Sequence, residues 1–285
     1  MAGRSPKVRR RRLGIELRQL REDAQYTIEQ VAARLEVSDS KVSRIETGQV
    51  GATPRDVRDM AALYGVTGQR MENLMQLARE TREREKPWWD EYKGDLLFDF
   101  AAYEAEASNI LIFSPMVLPG LLQTADYARA IIREIRFDLA PEQIERRVEF
   151  RMKRQALLTA PNPPILWAVI DEAVLRRMIG GPRTMREQFE TLVEIARLPH
   201  VTVQLLPFSV GAHAGLDGPF FIIHYDEPTD RDLVYFEHTG REHFLDDSRA
   251  ITLYSSLFDH IRAAALKPDD SIKLLIDRAD ELNSQ

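Results

Sequence analysis

Between residues 13 and 65 the apolar residues recur with helical spacing, and the breaks between stripes are too short for anything but tight turns. Leu13, Leu17, Leu20 and Ala24 fall on one helical face, which Gln25 and Tyr26 interrupt. Thr27 follows as an N-cap, and Gln30 three residues later completes a capping-box signature. Ile28, Val31, Ala32 and Leu35 form the next stripe, at i, i+3, i+4 and i+7, over about two turns. Glu36 and Val37 break it, Ser38 caps a third short helix and Gly48 ends that one. Thr53–Pro54, a cap with proline at the first helical position, opens a fourth helix whose inward face is Val57, Met60, Ala61 and Tyr64.

The third helix is unusual for what it lacks. Only Val42 and Ile45 are apolar in it. Asp39, Ser40, Lys41, Ser43 and Arg44 have nothing to bury. Two short helices, a tight turn plugged by Val37 and a small Ala32 at the crossing describe a helix-turn-helix. In that arrangement Ser38, Asp39, Ser40, Ser43 and Arg44, with Lys41 alongside, meet the major groove of double-stranded DNA. Arg44 has the fork to pair with guanine, and serines bond bases or phosphates. Thr27 and Gln30 stand at a helix N-terminus, where backbone N–H groups favour a phosphate. The alternative is a plain helical bundle with a solvated third helix.

Spacing, Ala32, the plugged turn, the T-x-x-Q cap and the charge of this segment together favour the helix-turn-helix. The formal net charge of −6 conceals an asymmetry. Residues 1–86 carry 18 Lys and Arg against 13 Asp and Glu, and the remainder carries 21 against 32. A basic module that meets a polyanion, followed by an acidic body that does not, fits this distribution. Residues 1–12, with Arg9, Arg10, Arg11 and Arg12, read as a flexible basic arm. It either tracks phosphates, enters a minor groove or is a solvated tail.

Residues 13–65 resemble the helix-turn-helix of the XRE (lambda-repressor/Cro-like) class, and SDSKVSRIETG (38–48) resembles the recognition-helix motif of actinobacterial WhiJ-type regulators. The resemblance implies that Ser40, Lys41, Ser43 and Arg44 face operator DNA. It also implies that Glu46 is structural and pairs with an arginine of the first helix, for which Arg18 is the expected match. The class has glycine in the turn where this chain has Glu36, so a left-handed glutamate or a modified turn is expected there.

The resemblance extends over the body. SPMVLPGLLQTADYARAI (114–131) is similar to the signature of the domain that follows the helix-turn-helix in these proteins, and RRVEFRMKRQALL (146–158), IDEAVLRRMIGG (170–181), VQLLPFSVGAHAG (203–215) and VYFE (234–237) match further. It implies a transcription regulator, with a small acidic partner protein encoded nearby and antitoxin-like members as the alternative role. From the residues alone, β-branched runs at 165–171, 201–207, 219–225 and 233–238 predict strands. Helical patterns lie at about 123–136, 141–159, 172–179, 184–198, 246–265 and 269–282. The expected fold is α+β: an all-α head at 13–80, a linker at 81–92 and a mixed α/β regulatory and dimerisation domain at 93–285. Trp88, Trp89, Tyr127, Arg151, Arg154, Gln155 and Trp167 are candidates for a pocket that takes a small-molecule effector; core packing is the competing reading. A homodimer on a palindromic site is expected, and helix 246–265, with Leu253, Leu257 and Ile261, is a candidate dimer surface or core element.

Other chemistries find no support. With no cysteine, disulfides, thiolate metal sites and a cysteine nucleophile are excluded. No apolar run is long enough for a transmembrane helix, and none follows the basic N-terminus as a secretion signal would require, so a cytoplasmic, nucleoid-associated protein is expected. The chain carries no phosphate-binding loop, G-x-G-x-x-G, G-x-S-x-G or H-E-x-x-H motif. His213, His224, His238 and His243 lie loosely among Glu237, Asp246 and Asp247, with His224 and His238 on two strands expected to pair, but the spacing matches no metal-site pattern. We expect no enzyme activity, no cofactor and no metal.

Overall fold

The computed structural model describes residues 6–81, 88–92, 98–226, 231–238 and 241–283. The chain forms two compact units that divide between Glu91 and Tyr92.

The first unit is helical: α1 (Pro6–Asp23), α2 (Ile28–Leu35), α3 (Asp39–Glu46), α4 (Pro54–Leu63) and α5 (Gly68–Glu80). Three of these start on a hydroxyl cap, where the side chain of Thr27, Ser38 or Thr53 accepts the N–H of the third helical residue. Their apolar stripes close on one core of Leu13, Leu17, Leu20, Val31, Ala32, Val42, Ile45, Val57, Met60, Leu74 and Leu77. Each large side chain buried there stabilises the unit by about 1.5–3 kcal/mol before entropy is counted.

The basic stretch differs from the expected arm. Residues 6–12 are the first two turns of α1, and residues 1–5 lie outside the described residues. Val8 and Arg11 are buried, and Arg9 donates to the carbonyl of Glu80 at the end of α5, at 2.9 Å. Neighbouring helices give this stretch partners that its composition does not advertise.

α1 and α3 approach backbone to backbone. A Cβ on Gly14 would stand 2.5 Å from the carbonyl oxygen of Ile45 and 2.6 Å from that of Glu46. Glu36 ends α2 in the left-handed region, at φ 54° and ψ 42°, as expected from the missing glycine.

The second unit is built on one six-stranded sheet: β1 (Asn109–Ser114), β2 (Ile165–Asp171), β3 (Val201–Leu206), β4 (Phe220–His224), β5 (Leu233–His238) and β6 (Arg241–Leu245), in the order β3-β2-β1-β4-β5-β6. The first three run parallel, and β4, β5 and β6 continue antiparallel from β1. With the helical head this makes the chain α+β.

Helices cover both faces of the sheet. Ile110, Ile112, Leu166, Ala168, Ile170, Val203 and Leu205 share a core with α7 (Ala125–Ile135), α10 (Pro182–Ala196) and α12 (Pro268–Asn283). Phe113, Val169, Leu206, Phe220, Ile222 and Val234 pack on Phe258 and Ile261 of α11 (Ser248–Ala264). Leu257 packs against this second core, whereas Leu253 is exposed. Two further helices are α6 (Phe98–Glu104) and α8 (Pro141–Gln155), and α9 (Glu172–Arg176) follows β2 directly.

β1 and β6 are additions to the four strands expected from sequence. NILIFS of β1 is a short apolar run whose period does not separate strand from buried helix. REHFL of β6 is a polar edge strand that reads as loop.

Candidate nucleic-acid interface

α3 divides cleanly into two sides. Val42 and Ile45 are buried, while Ser38, Asp39, Ser40 and Arg44 are exposed and Ser43 is half-buried. Arg44 donates through Nε to the carbonyl of Ser40 at 3.3 Å. Its guanidinium therefore has donors in excess of the acceptors it meets in the protein. Lys41 is engaged within the unit: its Nζ lies 2.6 Å from Asp56 Oδ1 on α4. Burial works against the Asp56 charge, but hydrogen bonds from Lys41 and from the backbone and hydroxyl of Thr53 outweigh it and hold the carboxyl below its usual range.

At the start of α2, Gln30 N–H donates to Thr27 Oγ1 at 3.2 Å and Thr27 N–H to Gln30 Oε1 at 2.9 Å. Both residues are exposed, and both are used by the capping box.

The partner of Glu46 is Arg21, not Arg18. Arg21 Nε and Nη2 donate to the two Glu46 oxygens at 2.7 and 2.9 Å, and Nη1 donates to the Tyr26 carbonyl at 2.9 Å. Both side chains are buried. The hydrogen bond to Glu46 holds the Arg21 guanidinium above its already high value. Arg18 pairs with Glu22 one turn along α1, in solvent. Helix geometry decides between them, because Arg21 is four residues past the buried Leu17 and shares its face, while Arg18 is rotated outward. Gly14, Arg21 and Asp56 were missed in the sequence reading; for Arg21 this i+4 relation was the available signal.

Of the residues expected to line an effector pocket, Trp167 is not brought together with Tyr127. Trp88 and Trp89 belong to the first unit, edge to face at 5.6 Å. Residues 82–87 of the expected linker lie outside the described residues. Trp167 donates to Gln204 Oε1 at 2.7 Å and packs with Phe258, on the sheet face opposite the core that holds Tyr127. Strand alternation puts it there.

Tyr127, Arg151, Arg154 and Gln155 do gather, around the turn at residues 118–123. Tyr127 OH accepts the Leu118 N–H at 3.2 Å, and burial pushes the phenol up. Arg154 is committed to Glu104 through two hydrogen bonds of 2.8 and 2.7 Å, which tie α8 to α6. Gln155 donates to the carbonyls of Gly120 and Gln123.

The histidines do not converge. His224 meets Asp232 at 2.7 Å and His213 lies 3.5 Å from Asp171. Residue 238 ends β5 six residues beyond the position that faces His224, about 20 Å away by strand rise. Among the described residues no group of three His, Asp or Glu is placed to hold a metal ion.

Residues 97–277 match the family described as "Domain of unknown function (DUF5753)", and residues 12–74 match the family described as "Helix-turn-helix domain". The chain belongs to the DUF5753 family. Its helix-turn-helix match covers α2 and α3, so the DUF5753 domain here follows a head of a DNA-binding class, consistent with an XRE-like regulator. No curated protein and no solved structure matches this DUF5753 chain. Among the described residues no helix is long and apolar enough to cross a membrane.

Proposed function

We propose that this chain is a sequence-specific, non-enzymatic transcription regulator that lays α3 in the major groove of operator DNA. The observation that carries the reading is the division of α3. Val42 and Ile45 seat it in the core, the buried Arg21–Glu46 pair fixes its end, and Ser38, Ser40 and Arg44 stand exposed on it. Ser40, Ser43 and Arg44 then supply base readout, and the surplus of basic residues in the head supplies phosphate affinity. Arg10 joins the phosphate set. Its side chain lies against Gly51 in the loop after α3, 3.2 Å from where a Cβ would stand. Lys41 contributes through Asp56, by holding α3 to α4. The resemblance to WhiJ-type regulators supports the same reading, in which the protein acts in the cytoplasm at the nucleoid and the second unit is its regulatory domain.

The test is footprinting of the purified full chain on DNA upstream of its own coding region, at two salt concentrations. The expected result is a protected site that weakens steeply with salt, and that Arg44→Ala loses while the protein stays folded. Two half-sites about one helical turn apart would add a homodimer. An unchanged footprint in Arg44→Ala would overturn the assignment of α3.

A further inference from the structure

In the second unit, half-buried arginines are matched to acids. Arg129 pairs with Asp126 and Glu145, Arg136 with Asp138 and Arg262 with Asp259. The buried Arg154 takes Glu104. Arg151 differs from these. Its Nη1 donates to Gln123 Oε1 at 2.7 Å, a neutral acceptor, and no carboxylate among the described residues lies within ion-pair distance. Burial, and then the neighbouring charge of Arg154, pushes its guanidinium down to about 10. Glu237 opposes this from further away, and burial pushes its own carboxyl up.

A second guanidinium approaches the same turn. Arg177, exposed just beyond α9, donates to the Met116 carbonyl at 3.1 Å and also has no acid partner among the described residues. Arg151 and Arg177 both act electrostatically on the Tyr127 hydroxyl. Residues 116–123 are thus bracketed by two cations, each anchored by one hydrogen bond to an uncharged oxygen. This occurs in the acidic part of the chain, where carboxylates are abundant.

A half-buried guanidinium with unused N–H groups is poorly solvated and poorly neutralised, and its planar edge matches two oxygens of a carboxylate or phosphate. We propose that the 116–123 turn binds a small oxyanion, a carboxylate or a phosphate monoester, held by the free edge of Arg151 with Arg177 at the rim. Gln123 fixes the Arg151 fork, and Gln155 fixes the turn through the Gly120 and Gln123 carbonyls. Tyr127, fully buried, holds the turn from beneath by accepting the Leu118 N–H. The site stands independently of the DNA reading.

The experiment is a melting-temperature titration of the full chain at constant ionic strength. Chloride is replaced by inorganic phosphate or by succinate, up to about 20 mM. We expect a saturable rise from one of the two, of about 3 °C at ten times its dissociation constant. The rise disappears in Arg151→Gln and shrinks in Arg177→Gln. Phosphate or succinate as the active anion tells which source of oxyanion the site takes. No rise with either anion overturns the proposal, as does an equal rise in Arg151→Gln, which would mark an adventitious ion only. If Arg151→Gln does not fold, the exposed Arg177→Gln carries the test, and an undiminished rise there overturns it. Arg151→Gln without added anion keeps the wild-type footprint, so failure of this site and failure of the DNA reading are distinguishable.

Discussion

Arg21→Ala leaves the Glu46 carboxylate buried without the two hydrogen bonds that neutralise it, and frees the Tyr26 carbonyl as well. Breaking one side of a buried pair costs about 3–5 kcal/mol. A domain of this size holds on the order of 5 kcal/mol in total, so the variant head lies near its unfolding midpoint. Arg18→Ala removes the exposed pair with Glu22, worth about 0.3–0.5 kcal/mol. The double variant Arg21→Met/Glu46→Leu removes both buried charges and fills the volume, so it should recover most of the loss. Hydrogen exchange read by mass spectrometry on peptides from α1 to α4 isolates the head from the second unit. Loss of 3 kcal/mol appears there as exchange about a hundredfold faster. Equal effects of Arg18→Ala and Arg21→Ala would refute the assignment of the pair, and so would a double variant as unstable as the sum of its singles.

Three further predictions concern the head. Gly14→Ala gains about 1 kcal/mol of helix propensity but forces α1 off the Ile45 and Glu46 carbonyls, for a net loss of about 1–2 kcal/mol; a melting temperature at or above wild type would contradict the close approach. Glu36→Gly relieves a left-handed glutamate worth about 1 kcal/mol and returns part of that as unfolded-chain entropy, so a gain of about 0.5 kcal/mol with an unchanged footprint is expected. Destabilisation by Glu36→Gly would show that the side chain compensates for its backbone. Asp56 has a folded pKa below its ordinary 3.8, so its contribution is present above that value and disappears as pH falls through the folded value. The stability gap between wild type and Asp56→Asn should therefore close with acid, and a gap that persists at the acid end of a pH series of urea melts counts against the Lys41–Asp56 pair.

How much could be read in advance follows from the range of the forces involved. Caps and stripes act within a few residues. The hydroxyls of Thr27, Ser38 and Thr53, the breaks at Gln25 and Glu36 and the runs at 165–171 and 233–238 are visible in the chain, and with them the α+β class. The helical run from Pro6 was not visible as such, because Val8 is buried by packing and Arg9 reaches the end of α5, contacts that composition does not show. Arg21 was half visible, since its face follows from Leu17 while the identity of the acid opposite depends on how α1 crosses α3.

What the amino-acid order determined by itself is local: where helices start, which side of α3 is apolar, and which segments prefer to extend. These are settled by backbone sterics, capping hydrogen bonds and the period of apolar residues. What only the tertiary structure decided is pairing between distant segments. It brought β1 to the middle of the sheet between parallel β2 and antiparallel β4, set Trp167 and Tyr127 on opposite faces, gave Glu104 to Arg154 and left Arg151 without an acid among the described residues. Burial makes an ion or a hydrogen bond count, and burial belongs to the packed assembly rather than to any stretch of sequence.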